Sequence, residues 1–480
     1  MIRPLIFALL GLGIASVQAQ STAPPLGLTE VLDTSSQHFP KILESLAKRR
    51  VAAGEQAAAL GAFDLVFKAD SYSYGTGFYD GNVLGAKASQ PLRALGAEVY
   101  GQYRISTGDF PIYQDENFTN NGGQAKVGVL FSLLRDRDID KRRFAESDAV
   151  FALRDADFDV LLTQVGVQQS AAAAYWKWVA AGQALGVYRD LLSIAERRDT
   201  GLRKQLDQGA IAAIFVTENL QNITRRQSFV MSAERDFRQA AVALSFYYRD
   251  NDGRPQMPNN DRLPPVLPVA SGAVMPPAVL ERDIDRALQR RPEVAQLRNT
   301  IERGLNKMRL QENALKPRFD VRLELAEGLG GIGEGGSSRD STDTTVGLSF
   351  SVPVQRRAAR ARLDQARNKL DAMRLEQQQL EEKIALEVQD ILLSLRYAER
   401  LAALAGQELA QSKQLEVAEQ KRFESGASDF FLVNVREQAV ANARVKAVAA
   451  SLQTQIARIN LDAATINLEP LRLQELATLP

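Results

Sequence analysis

Two periodicities alternate along the chain. In "QAKVGVLFSLL" (124–134) Ala125, Val127, Val129, Phe131 and Leu133 are apolar, while Gln124, Lys126, Gly128 and Ser132 fall between them. This period of two predicts a strand with one apolar face. "TTVGLSFSVPV" (344–354) repeats it with Val346, Leu348, Phe350 and Val352, "FDVRLEL" (319–325) with Val321, Leu323 and Leu325, and "GAEVYGQYRIS" (96–106) with Val99, Tyr103 and Ile105. After the segments 124–134 and 344–354 the period changes. Phe151, Phe158, Leu162, Val165, Ala172 and Trp176 step along one helical face, and Leu380, Ile384, Val388, Ile391 and Leu395 along another. The spacings favour coiled-coil-like packing. No proline stands between Pro111 and Pro255, or between Pro353 and Pro470. A helix over about 136–200 would be roughly 95 Å long.

The two tracts are separated by a segment rich in Pro, Gly and Asn, 249–278, which reads as a connector. The chain therefore divides into a leader (1–19), a first repeat (20–248), the connector (249–278), a second repeat (279–469) and a tail (470–480). Internal duplication is supported by landmarks. Phe63-Asp64 and Phe319-Asp320 open the strand regions, and "GVLFS" (Gly128) and "GLSFS" (Gly347) close them, with offsets of 256 and 219, so the first repeat carries 37 additional residues among its strands. These are expected to add an outer hairpin or to lengthen one side of the strands rather than to widen a barrel. Further on, Gly209-Ala210 and Gly426-Ala427 interrupt the long helices 217 residues apart.

The N-terminus, "MIRPLIFALLGLGIASVQAQ", has one basic residue, an apolar run and small residues at 17 and 19, so it is expected to be a secretory signal cut after Ala19. Removing Arg3 with it takes the 59 basic residues to 58, equal to the 58 acidic ones. A formally neutral chain has no overall basic field for nucleic acid. No later run is apolar enough for a membrane-crossing helix, so entry into a bilayer would require a closed β-barrel. The single histidine, His38, and the absence of cysteine make no metal site, and no cofactor is expected. "EGLGGIGEGGSS" (327–338) lacks the Lys-Ser/Thr of a phosphate loop and reads as a strand connection; "RRAARAR" (356–362) reads as a solvated helix start. No grouping of nucleophile, base and oxyanion donors points to an enzyme.

The duplicated halves, "LLRDRDIDKRRFAESDA" and "VPVQRRAARARLDQARN" leading from strand into helix, "RRPEVAQLR" (290–298) and the two Gly-containing breaks make the mature chain resemble the TolC family of outer-membrane efflux channels. The resemblance implies a mixed α and β membrane protein: a duplicated TolC-like subunit whose long coiled-coil helices form a periplasmic tunnel and whose strands join a trimeric outer-membrane β-barrel. It implies a Gram-negative outer membrane, a homotrimer in contact with lipid, and a passive conduit coupled through a periplasmic adaptor to an inner-membrane pump of RND or ABC type. Gly209, Ala210, Gly426 and Ala427 then fall on the tips that meet the adaptor. Many family members carry an Asp six residues after the tip glycine; here Phe215 and Leu432 stand there. The expected constriction is accordingly hydrophobic, formed by Phe215, Phe430, Phe431 and Leu432 with Asp429 beside them. A periplasmic adaptor or a structural coiled coil of the envelope is the alternative reading; an adaptor would be expected to carry one hairpin and commonly an anchor, and a coiled coil would leave the strands unexplained.

Overall fold

The computed structural model describes residues 24–268, 277–335 and 341–473. The expected leader 1–19 lies outside the described residues, as do 269–276 of the connector, 336–340 of the glycine-rich segment and the tail from 474.

Each repeat runs helix pair, strands, helix pair. The first contains α1 (Leu28–His38), α2 (Pro40–Leu60), β1 (Val66–Ser73), β2 (Asn82–Pro91), β3 (Glu98–Thr107), β4 (Gln124–Ser132), α3 (Lys141–Asp207) and α4 (Ala213–Ser245). The second contains α5 (Pro277–Arg290), α6 (Pro292–Ala314), β5 (Arg318–Gly328), β6 (Asp343–Ser351), α7 (Arg357–Glu424) and α8 (Phe430–Ala464). In both, a proline at the first helical position starts the second short helix, Pro40 in α2 and Pro292 in α6, where the missing N–H costs no helix bond. The start of α3 is set by Asp140, whose Oδ1 accepts the Arg143 N–H at 2.9 Å. At 67 residues α3 is about 100 Å long.

The residues form two compact units. Of the described residues, one unit comprises those up to 35, 171–268 and 398–456; the other comprises 36–170, 277–335, 341–397 and 457–473. In the first unit Trp178, fully buried, stacks on Phe237 with ring centres 6.2 Å apart, among Val31, Val179, Leu185 and Leu244. Tyr175 donates to the Leu26 carbonyl at 2.8 Å, and burial pushes its hydroxyl pKa up to about 12. Glu30 accepts from Arg262 at 2.6 Å and from Tyr248 at 2.7 Å, tying the start of the first repeat to the connector. Of the first predicted stripe Val165 and Ala172 are buried, while Phe151, Phe158, Leu162 and Trp176 are half-buried. The second stripe agrees better: Ile384, Val388 and Leu395 are buried, the first two in a cluster with Ala287, Val294 and Leu392 in the other unit.

All six strands belong to one antiparallel sheet in chain order, β1 to β6, and the two repeats meet where β4 pairs with β5. This corrects the expectation for the 37 extra residues. They widen the sheet, because β2 and β3 lie inside it at the same height as their neighbours: Pro91 pairs with Glu98, Glu98 with Leu130, and Ser132 with Asp320. The turn from β2 to β3, closed by the Leu92 N–H on the Ala97 carbonyl at 2.7 Å, has positive φ at both Leu95 and Gly96. The Leu95 carbonyl accepts the Ser132 N–H at 3.2 Å, which anchors this hairpin to the end of β4. Across the polar face, Tyr100 of β3 reaches past Gly128 of β4 to hydrogen-bond Glu324 of β5, and Lys126 approaches Glu324 to 3.8 Å. A side chain at 128 would occupy the space of the Tyr100 ring.

Register assigns the two faces. Phe67, Ala88, Gly101, Val127 and Leu325 form one cross-strand row, and Val99, Val129, Leu323 and Val346 another on the same face. Phe67, Val127, Leu325, Val346, Leu348 and Phe350 are exposed. The opposite face carries Lys87, Gln102, Arg104, Lys126, Arg322 and Ser349. An exposed apolar face backed by a polar one is the pattern of a wall between lipid and water.

Candidate functional site

The two helix breaks are the same structure built twice. At the end of α3 the Gly209 N–H bonds the Leu206 carbonyl at 2.9 Å and the Ala210 N–H bonds the Gln205 carbonyl at 2.8 Å. At the end of α7 the Gly426 N–H bonds Phe423 at 3.0 Å and the Ala427 N–H bonds Arg422 at 2.8 Å. This pair of bonds is the Schellman cap, which needs a left-handed residue at its corner. Gly209 has φ +70° and Gly426 φ +76°. Open space surrounds both α-carbons, so the backbone angle, and not crowding within the subunit, calls for glycine. Ala210 and Ala427 are exposed beside them.

The residues after each break divide by position. Phe215 is exposed on the first turn of α4, and Val216 next to it is buried. In the second hairpin Asp429 is exposed and caps α8, its Oδ1 accepting the Leu432 N–H at 2.8 Å. Phe430 is only 5% exposed and packs beneath the Arg198 guanidinium, 5.1 Å from its ring centre. Phe431, 61% exposed, and Leu432 turn outward. Of the apolar residues expected to line a constriction, Phe215, Phe431 and Leu432 therefore offer free surface in the subunit, and Phe430 is used in packing.

Sequence reading missed a buried charged clamp beside the tips. Arg226 of α4 is fully buried; it donates to the Leu191 carbonyl of α3 at 2.7 Å and to Glu437 of α8 at 2.9 Å. Arg198 of α3 also donates to Glu437, and to Asn434 at 2.8 Å. One buried carboxylate thus holds two guanidiniums and joins three helices. Burial pushes Arg226 below its usual range, and Glu437 opposes that shift. Removing one partner of such a buried cluster typically costs about 3–5 kcal/mol, because it strands the other charge. The only available signal was charge at positions a helical stripe assigns to the core, and a single polar residue there is indistinguishable from a solvated one until the partner helix is placed. Among the described residues no group of His, Asp and Glu is arranged to hold a metal.

Duplicated helical hairpins joined to an amphipathic sheet make up a TolC-like fold. Residues 284–465, most of the second repeat, match the family model described as outer membrane efflux protein. Over its length the chain is similar in structure to the CmeC outer membrane channel of Campylobacter jejuni (12% identity, 98% of each chain covered, TM-score 0.61). It is also similar to the outer membrane protein VceC of Vibrio cholerae (14% identity, 91% of this chain and 95% of that one, TM-score 0.60). The open state of the MtrE outer membrane channel of Neisseria gonorrhoeae matches at 14% identity over 91% of this chain and 88% of that one, TM-score 0.61. Comparison with curated proteins gives no match. By sequence the second repeat matches the outer membrane efflux protein family, and the chain as a whole shares the fold of the CmeC and VceC outer-membrane proteins.

Proposed function

We propose that the protein is the outer-membrane channel of a tripartite efflux or secretion system, a homotrimer that conducts passively and draws its energy from an inner-membrane pump through a periplasmic adaptor. The observation that carries this reading is the six-stranded sheet with an exposed apolar face and two open edges, β1 and β6. Open edges are untenable in lipid, where every backbone N–H and C=O needs a partner. With an even number of strands per subunit, β1 of one copy runs antiparallel to β6 of the next, so rotational symmetry closes the wall. Three copies of six strands make eighteen. At a strand spacing of about 4.8 Å and a tilt of about 40°, that wall is roughly 36 Å across, backbone to backbone.

The paired Schellman tips supply the coupling surface. Two identical backbone corners with small exposed residues let a helical tip of a partner approach closely, and Gly209, Ala210, Gly426 and Ala427 are the proposed contacts. Because the chain contains no cysteine, Ala210→Cys and Ala427→Cys are unique thiols for cross-linking. Reconstituted protein should have trimer mass in detergent and conduct across planar bilayers. Both thiols should cross-link to the helical tip of a periplasmic adaptor with which the protein supports export. A stable conducting monomer would sink the trimer, and cross-links absent at both positions in an exporting cell would remove the tips from docking.

A further inference from the structure

The segment between β3 and β4 does not project away from the sheet. Arg104 and Ser106 of β3, and Tyr72 and Val83 opposite Ser106 on the neighbouring strands, share the polar face that carries Tyr100 and Lys126. The segment is fastened to that face. Arg104 donates to the Glu116 carbonyl, and the Ser106 hydroxyl and N–H bond the Thr119 hydroxyl at 3.3 and 3.1 Å. Tyr74, continuing β1, donates to Gln114 at 2.7 Å and packs its ring against Phe110, which in turn meets Phe118 edge-on at 5.1 Å. Asn120 donates to the Gly330 carbonyl at 3.3 Å on the far side. Val83, whose side chain would otherwise face water, is 4% exposed, and Thr119 and Asn120 are buried. The fastening therefore spans from the end of β1 to the loop after β5, all on the face opposite the apolar one.

We infer that Phe110–Asn120 is a constriction element inside the outer mouth of the barrel, one copy per subunit, and that it sets the size and charge of what passes. The inference rests on the proposed trimeric channel. It follows from two opposed features of the first repeat: two extra strands widen the wall, and the connection between two of its strands is folded back over the lumen side. The short 3-10 turn Ile112–Asn117 presents the free surface of this element. Ile112 and Tyr113 are 92% and 84% exposed, and Asp115 and Glu116 are exposed beside them. Asp80, Asp109 and Glu334 border the same segment, since Asp109 N–H and Gly108 N–H bond the Asp80 and Glu334 carboxylates. Acidic groups predominate around a narrow opening with low-dielectric walls, which favours cations over anions.

The test is single-channel recording of reconstituted trimer, with neutral polymers added on the mouth side to measure the exclusion size, and a salt gradient to measure ion preference. Replacing 112–117 by Gly-Ser should raise the polymer cut-off and increase conductance about two-fold or more. Asp115→Asn with Glu116→Gln should keep the cut-off and lower the cation-to-anion ratio several-fold. If the shortened loop hinders assembly, Tyr113→Cys provides the same information in an intact chain: attaching a bulky thiol reagent should cut the conductance by at least half. An unchanged cut-off in an assembled loop variant, or unaltered conductance after complete Tyr113→Cys labelling, would overturn the constriction; an unchanged ion ratio would overturn its charge selectivity. A wild-type trimer that never conducts would instead reject the channel reading on which this rests.

Discussion

The two hairpin tips share one backbone corner and a Gly-Ala pair and differ in the side chains that brace it. Both corners are left-handed glycines closed by the same pair of N–H to carbonyl bonds. At the first tip α4 starts after Ala212, which has no side chain to cap it, and the nearest side-chain ties are Thr217 to the Ala213 carbonyl at 3.3 Å and Arg203 to Asp199 at 2.6 Å, each within one helix. At the second, Asp429 caps α8, Ser428 donates to the buried Glu419, and Glu419 lies 3.4 Å from Arg422 and 3.8 Å from Arg436. Arg422 also reaches over to the Ala427 carbonyl at 3.2 Å. A turn therefore needs only its glycine to exist, whereas its stiffness is set separately by side chains. The first tip is the adaptable one and the second the stapled one, while Glu437 of the second hairpin clamps Arg198 and Arg226 of the first.

The largest effect should come from that clamp. Glu437→Ala leaves two guanidiniums without their carboxylate and should cost about 3–5 kcal/mol, seen as a lower denaturation midpoint of the protein. Asn434→Ala should cost about 1 kcal/mol. Equal losses for the two would mean that the carboxylate is not what joins the hairpins.

Phe430→Ala should come next, with a loss of roughly 3 kcal/mol for emptying a packed site. Phe431→Ala should leave stability within about 0.5 kcal/mol and raise leak conductance instead. The reverse assignment would exchange the packing and lining roles of the two rings.

The glycines separate the tips directly. A β-branched residue in the left-handed region costs about 1–2 kcal/mol, so Gly209→Val and Gly426→Val should each destabilise by that amount locally. Hydrogen exchange should show wider opening after Gly209→Val, because the second tip retains its staples. Adaptor cross-linking should fall in both variants by more than trimer yield does. Glu419→Gln, a change of about 1 kcal/mol, should raise exchange at the second tip toward that of the first and leave the first unaltered. Unequal exchange persisting after Glu419→Gln would place the stiffness elsewhere.

The smallest effect concerns Glu30, a tie to the connector. Its hydrogen bonds from Arg262, above all, and Tyr248 hold its carboxyl below the ordinary value of 4.5. A lowered folded pKa contributes stability above the unfolded value and loses it as pH falls through the folded one. The group is part-exposed, so the contribution is under about 1 kcal/mol after screening. Thermal midpoints of wild type and Glu30→Gln should differ slightly at pH 7 and converge below pH 4.5. A gap that widens on acidification would contradict the pairing.

What was legible from sequence was what the chain decides locally. Proline-free tracts with apolar steps of three and four became α3 and α7, period-two runs became β3 to β6, and Gly209 and Gly426 became turns, because φ/ψ preferences and side-chain period act within a few residues. β1 and β2 escaped notice for the same reason. Their positions on the face of Phe67 include Ala69, Ser71, Ala86 and Ala88, too small to register as an apolar stripe. The remaining features depend on partners far along the chain. Whether Phe430 or Phe431 turns inward is set by Arg198, over two hundred residues upstream; Arg226 is tolerable in a core only because α8 brings Glu437 to it; and the Phe110–Asn120 segment lies on the polar face only because β1 and the loop after β5 offer it bonds. Local periodicity specifies the elements and their faces. Pairing of buried charge and closure of a sheet are settled only when distant segments meet, since their free energy depends on which groups are removed from water together.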